Sequence, residues 1–138
     1  MQYIENSLTY EDYQRLRTSA GWKNFAKLQV ERALAGSRYT VTAVWHGRTV
    51  AMGRVIGDGM YHILADVIVQ PDFQRRRIGT TILTMLLAYI DEQTPTGGRT
   101  SIQLIAEPGK EAFYEQFGFK KIPHEFCGSG MRKVIYKE

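Results

Sequence analysis

Apolar residues recur at helical spacing in four stretches of this chain. In the clearest of them Ile82, Leu86 and Ile90 follow one another every fourth residue, so they share one face of a helix. The stretch Thr9-Tyr-Glu-Asp12 resembles a capping box, which opens helices. The predicted helices are residues 9–19, a segment between Gly21 and Gly36, residues 79–92, and residues 110–117 with Gly118 as the stop.

Strand patterns separate these helices. Residues Tyr39–Trp45 are rich in β-branched and aromatic side chains, and the turn residues His46 and Gly47 lead into a second such run. The predicted strands are residues 3–5, 39–45, 50–56, 61–69, 101–106, 119–122 and 131–136, with a loop at 123–130 between the last two. This order predicts an α/β or α+β protein with a mixed sheet. The helix at 79–92 connects two of the strands as a right-handed βαβ unit does.

Composition limits the size and class of the protein. With 138 residues, 43% of them hydrophobic, the chain is long enough for one domain, expected to span residues 1–138. No basic segment followed by an apolar run is seen near Met1, so a soluble, cytoplasmic protein without a membrane partner is expected. Cys127 is the only cysteine, and the three histidines lack metal-ligand spacing. No disulfide and no metal site are therefore expected.

Three of the basic residues that contribute to the net charge of +4 lie in the segment that follows the strand 61–69. That strand breaks at Pro71, three arginines follow, and a helix opens near Gly79. A helix start offers unpaired N–H groups and the positive end of a dipole, which together bind phosphate. We call residues 74–80 the phosphate turn. Alone, an arginine run is more often a solvated surface, and a nucleic-acid-binding module is the second interpretation.

Two motifs resemble the GNAT superfamily of acyl-CoA-dependent N-acetyltransferases. The first is Val69-x-Pro71-x-Phe73-Gln74-x-x-Arg77-x-Gly79, and the second is Phe113-Tyr-Glu-Gln-Phe-Gly-Phe119. The resemblance covers nearly the whole chain. It implies an N-acetyltransferase that uses acetyl-CoA, with two parallel strands splayed apart in a central mixed sheet and about four flanking helices.

The resemblance also implies where acetyl-CoA binds. Backbone amides of the phosphate turn would bind the pyrophosphate, and the strand before it would pair with the pantetheine amides as β-augmentation. Arg77 stands where the family prefers glycine, and we expect it to keep an ordinary helical φ. The implied acetyl-CoA-binding residues are Val67, Ile68, Val69, Gln74, Arg75, Arg76, Arg77, Ile78, Gly79, Thr80 and Phe113.

Two residues are candidates for the chemistry. Tyr114 matches the family's general acid, since a phenol with a reference pKa of about 10 is protonated at neutral pH. Asp66 is the candidate base, because it shares a strand face with Leu64 and Ile68 in an apolar setting. The alternative for Asp66 is a structural carboxylate bonded to backbone or to a basic neighbour. Glu107 departs from the family, where many members carry asparagine.

The acceptor is expected to be a small primary amine. Trp22, Phe25, Glu125 and Phe126 would line its site, where aromatic faces and a carboxylate attract a cation. Alternatively, Trp22 and Phe25 cap the core and Glu125 pairs with a surface lysine. Dimers are common in the family, so a homodimer is a further expectation by analogy. A non-catalytic acyl-CoA sensor remains an alternative function, and nucleic acid is not expected as a partner.

Overall fold

Five strands form one sheet whose order in space follows the order in the chain. The computed structural model describes every residue from 1 to 138. The first four strands are antiparallel neighbours, and the fifth pairs with the fourth in parallel. The predicted mixed sheet is confirmed. The strands are β1 (Gln2–Glu5), β2 (Tyr39–Trp45), β3 (Arg48–Gly57), β4 (Tyr61–Val69) and β5 (Ser101–Gln103).

Four helices accompany the sheet, as the sequence predicts. Thr9 caps the first of them, because its Oγ1 accepts a hydrogen bond of 3.2 Å from the N–H of Asp12. None of the helices combines the length and the apolar composition needed to cross a bilayer. The helices are α1 (Tyr10–Ser19), α2 (Lys27–Ala35), α3 (Ile78–Gln93) and α4 (Glu111–Glu115), and a single 3-10 turn covers Pro71–Phe73.

Two compact units divide the chain at Leu104. In the first unit, residues 1–104, the helices cover both faces of the sheet. Met52 packs in a buried cluster with side chains of α1 and α2, and the next residue, Gly53, faces α3. A Cβ on Gly53 would lie 2.8 Å from Ile82 and 2.9 Å from Leu86. The glycine therefore lets α3 pack directly against the backbone of β3.

A bulge interrupts the ladder between β3 and β4, and the parallel pairing of β4 with β5 is short. Met52 lies opposite Ile68, and Arg54 lies opposite Ala65, so Asp66 and Val67 together face the one residue between them. The strand β5 pairs only with Tyr61 to Ile63, and the rest of β4 pairs with β3 alone. The predicted splay is confirmed, while β5 is shorter than the predicted strand 101–106.

The second unit, residues 105–138, differs most from prediction. It contains α4 and a tight turn in which His124 and Cys127 exchange backbone hydrogen bonds of 3.0 and 3.1 Å. The predicted strands at 119–122 and 131–136 are wrong, since neither belongs to a ladder. An alternating sequence supplies strand propensity, but a strand forms only where a neighbour pairs its N–H and C=O groups.

We expect His62 to make the stability of the first unit depend on pH. The side chain is 1% exposed, its Nδ1 lies 2.7 Å from Thr100 Oγ1, and its Nε2 is buried without a partner. Burial lowers the pKa of His62, and the charge of Arg38 lowers it further against the opposing charge of Asp58. The folded state therefore binds fewer protons than the unfolded state, and stability falls as pH drops through about 6.5.

We expect the urea concentration at the unfolding midpoint to decrease when the pH is lowered from 7.5 to 5.5. The variant His62→Asn should show a smaller decrease. Asparagine retains a polar atom near the position of Nδ1 and cannot be protonated in this range. Parallel pH profiles for the two proteins would show that another group dominates.

Candidate active site

The phosphate turn has an irregular backbone that ends where α3 begins. Gln74 is extended, and Arg75 and Arg77 take left-handed conformations with φ of 64° and 61°. The first hydrogen bond of α3 runs from the N–H of Thr81 to the carbonyl of Arg77 at 3.1 Å. The N–H groups of residues 78–80 thus precede the helical ladder and remain available to an anion.

The side chains of the turn support the same function. Arg75, Arg76 and Arg77 are exposed, and the first turn of α3 has no acidic residue to repel an anion. The Gln74 side chain closes the turn, since its Nε2 donates to the carbonyl of Val69 at 3.1 Å. Backbone donors, a helix dipole and exposed arginine side chains therefore converge on one segment.

The conformation of Arg77 contradicts the sequence prediction. An ordinary helical φ was expected, but Arg77 is the residue that caps α3 rather than one inside it, and its φ is 61°. This left-handed region favours glycine, because a Cβ there crowds the following carbonyl. Arginine therefore occupies the family's glycine position in the conformation that glycine adopts most easily.

The variant Arg77→Gly is expected to be more stable than the natural protein, or equally stable. The left-handed conformation costs a residue with Cβ about 1–2 kcal/mol, and the greater freedom of glycine in the unfolded chain offsets about 0.5–1 kcal/mol of the gain. Thermal melting checks this. A clear loss of stability would mean that the Arg77 side chain makes a compensating contact.

The edge of β4 next to the turn is open on one side. Ile68 and Val69 pair with β3, Val67 lies in the bulge before them, and β5 does not extend beside these residues. Extended backbone with an open side can accept an extended chain that carries amides. In the chain, this edge comes shortly before the phosphate turn.

Asp66 lies in a cluster of buried polar groups, which we call the Asp66 cluster: Tyr13, Arg17, Arg54 and Asp66. Its Oδ1 accepts from Arg17 Nη1 at 2.6 Å, and its Oδ2 accepts from Arg54 Nε and from the Tyr13 hydroxyl, both at 2.8 Å. The carboxylate is 7% exposed. Of the two interpretations of Asp66, this geometry supports the structural one, because its oxygens already face three donors.

Trp22 and Phe25 lie beside the same cluster. The Arg17 guanidinium carbon is 5.2 Å from the centre of the Trp22 ring and 4.9 Å from that of Phe25. Trp22 also packs against the buried cluster around Met52, as the core-capping alternative proposes. A cation of the protein itself therefore lies over one face of each ring that is predicted to attract the amine.

Tyr114 belongs to an aromatic group in the second unit. Its ring makes edge contacts with Phe113 and Phe119, at centroid distances of 5.1 and 6.1 Å. Burial raises the pKa of Tyr114, and the nearby charge of Glu107 raises it further. The phenol is therefore fully protonated at neutral pH, as an acid must be.

Glu125 and Phe126, the other predicted acceptor residues, lie in an exposed loop. The N–H of Phe126 donates to His124 Nδ1 at 3.2 Å, and its side chain is 85% exposed. No group of three or more His, Cys, Asp or Glu side chains is arranged to hold a metal ion.

Comparison with known proteins identifies the family. Residues 5–137 match the family model described as an acetyltransferase (GNAT) domain. The chain belongs to the GNAT family. Its mixed sheet with four helices is the GNAT fold.

Relatives agree with this assignment. A serotonin N-acetyltransferase 2 of rice chloroplasts is 34% identical over 83 residues, which are 59% of this chain and 40% of the rice protein. A probable acetyltransferase of unknown function from Staphylococcus aureus is 29% identical with a TM-score of 0.87, and the match covers 98% of both chains. A GNAT-family acetyltransferase from Streptococcus pneumoniae is 25% identical with a TM-score of 0.81, covering 99% of this chain and 98% of that one.

The GNAT motifs did not reveal the partners of Asp66. Tyr13 and Arg17 lie on α1, far from Asp66 in sequence. Only the folded structure shows that their side chains form hydrogen bonds with its carboxylate. One signal was present: Arg54 is a charged residue inside an otherwise apolar strand. A buried strand carries such a residue only when it has a partner.

Proposed function

We propose that this GNAT acetyltransferase transfers an acetyl group from acetyl-CoA to the primary amine of a small molecule in a ternary complex. The observation that carries the proposal is the phosphate turn, where left-handed Arg75 and Arg77 lead into free helical N–H groups beside an open strand edge. The rice relative, named as a serotonin N-acetyltransferase, supports an amine as the acceptor.

The phosphate turn and the β4 edge would each bind one part of acetyl-CoA. The N–H groups of residues 78–80 and the Arg75 and Arg76 side chains would bind the pyrophosphate. The backbone of Val67 to Val69 would pair with the pantetheine amides, and one N–H of this segment would polarise the carbonyl that the amine attacks. When bound, acetyl-CoA supplies an acetyl group activated as a thioester.

We assign proton delivery to Tyr114. The sequence spacing in the second GNAT motif supports this role, and the protonated state of the phenol fits it. A thiol has a pKa near 8.5, so Tyr114 would donate to the sulfur only as negative charge develops there. Because the Asp66 oxygens already accept three hydrogen bonds, we assign removal of the amine proton to water.

Thermal melting with added acetyl-CoA tests the binding half of this proposal. A ligand at 100 times its Kd stabilises the folded state by about 2.7 kcal/mol, so the melting temperature should rise with acetyl-CoA concentration. The double variant Arg75→Gln with Arg76→Gln should need more ligand for the same rise. No rise at millimolar acetyl-CoA would contradict the proposal.

A panel of primary amines, assayed by release of coenzyme A, tests the transfer half. The panel should include arylalkylamines, polyamines, amino sugars and aminoglycosides. Acetyl-CoA binding without coenzyme A release from any amine would favour the acyl-CoA sensor. Binding to oligonucleotides that weakens steeply with salt, without acetyl-CoA binding, would favour the nucleic-acid module.

A further inference from the structure

Asp66 combines an unusual backbone with an unusual set of partners. Its φ is 55°, in the left-handed region, and it sits in the bulge of β4 opposite Gly53. A residue with a Cβ adopts this conformation at a cost, so the surrounding contacts must hold it there. Its carboxylate reaches other elements of the fold, where three donors bind it.

The three donors come from the two elements that pack beside the bulge, α1 and β3. Tyr13 and Arg17 lie on α1, and Arg54 lies on β3. The two ion pairs are buried, with side-chain exposures of 10% for Arg17, 11% for Arg54 and 7% for Asp66. One carboxylate therefore ties α1 to the bulge and joins the bulge to the adjacent strand.

We propose that Asp66 is a positioning residue whose hydrogen bonds to Tyr13, Arg17 and Arg54 fix the β4 bulge, and thereby the backbone of Val67 to Val69 that pairs with acetyl-CoA. The bulge lies in the part of β4 beyond Ile63, which no longer pairs with β5, and it directly precedes Ile68 and Val69 in the chain. This inference rests on the proposed function, because it assigns the role of Asp66 relative to acetyl-CoA.

The electrostatics of the cluster agree with a positioning role. Burial and the charge of Asp66 raise the pKa of Tyr13 to about 12, so the phenol keeps its proton and remains a donor. Two guanidinium groups face one carboxylate in a buried place. Removing the carboxylate would leave both cations without their shared partner, which is strongly unfavourable in a buried site.

Arg17 extends the cluster toward the loop between α1 and α2. Its Nη2 donates to the carbonyl of Lys23 at 2.5 Å, and its guanidinium lies against Trp22 and Phe25. The same cation that binds Asp66 therefore holds the loop predicted to line the acceptor site. Disturbing Asp66 should affect the binding of both substrates.

The variant Asp66→Asn is the main test. Asparagine has nearly the same shape and tolerates left-handed φ, so the substitution chiefly removes the charge. If Asp66 positions the strand, the Kd of acetyl-CoA should rise about tenfold and kcat should fall by up to about 100-fold, as small misplacements produce. The pH profile of kcat should keep its shape.

A general base would behave differently. The Kd of acetyl-CoA would then be unchanged, kcat would fall, and the limb of the pH profile that reports the base would disappear. That result would overturn the proposal. Calorimetry measures the Kd directly, and the coenzyme A assay with an amine found in the panel measures kcat.

Two further variants make the test complete. Tyr13→Phe removes one donor without leaving a charge unpaired, so it should fold and raise the Kd of acetyl-CoA by a smaller factor. Tyr13→Phe provides the test of the positioning role if Asp66→Asn fails to fold: an unchanged Kd in Tyr13→Phe would then overturn the proposal.

Asp58→Asn is the matched control, because Asp58 accepts from the N–H groups of Met60 and Tyr61 at the far end of β4. Its Kd should be that of the natural protein.

These outcomes separate the two proposals. If the natural protein does not bind acetyl-CoA, the proposed function fails and this inference fails with it. If the natural protein binds acetyl-CoA and Asp66→Asn binds it equally well, only the positioning role is overturned.

Discussion

Replacing Tyr114 with phenylalanine should lower kcat by about 100- to 10,000-fold while acetyl-CoA still binds. Loss of a positioned general acid has an effect of this size. The aromatic contacts of the residue with Phe113 and Phe119 use the ring, and phenylalanine retains the ring. The variant should therefore fold normally and lose only the hydroxyl that delivers the proton.

Single-turnover and steady-state assays with an identified amine measure the fall in kcat, and thermal melting with acetyl-CoA checks binding. Tyr61→Phe is a suitable control, since that side chain is 57% exposed at the start of β4 and should leave kcat unchanged. If Tyr114→Phe retains full kcat, Tyr114 is not the acid. If acetyl-CoA binding is lost as well, its role is structural.

Local sequence patterns were sufficient to predict the first unit. The strands β2 and β4 are rich in β-branched and aromatic residues, β3 carries several of them, and α3 repeats its apolar residues on one face. Each pattern is complete within its own element, so neighbours are not needed to recognise it. Residues 131–136 carry a similar strand pattern without forming a ladder, because pairing depends on a partner that the segment itself does not encode.

The local structure around the phosphate turn was predictable in outline but not in detail. Pro71 marked the end of β4 and Gly79 lay close to the start of α3, since both residue types mark breaks in regular structure. The positive φ of Arg75 and Arg77 was not predictable, because arginine rarely adopts it. The partners of Asp66 were also missed: Arg54 is 12 residues away in the chain and Arg17 is 49, and the apolar neighbours on its own strand gave no sign of either.

The variant Gly57→Ala should lose at least about 3 kcal/mol of unfolding free energy, which is typical of steric overpacking combined with backbone strain. Gly57 has a φ of 145°, which side chains rarely adopt. A Cβ there would collide with the carbonyl oxygen of Tyr61 and lie 2.9 Å from the Cα of His62. Both obstacles are backbone atoms of β4, so no side-chain rotation can relieve the clash.

Urea unfolding of Gly57→Ala and of the control Gly47→Ala separates the clash from the strain. Gly47 also has a positive φ, 77°, but nothing lies within 4 Å of a Cβ placed on it, so Gly47→Ala should cost only about 1 kcal/mol. Equal losses in the two variants would contradict the steric argument.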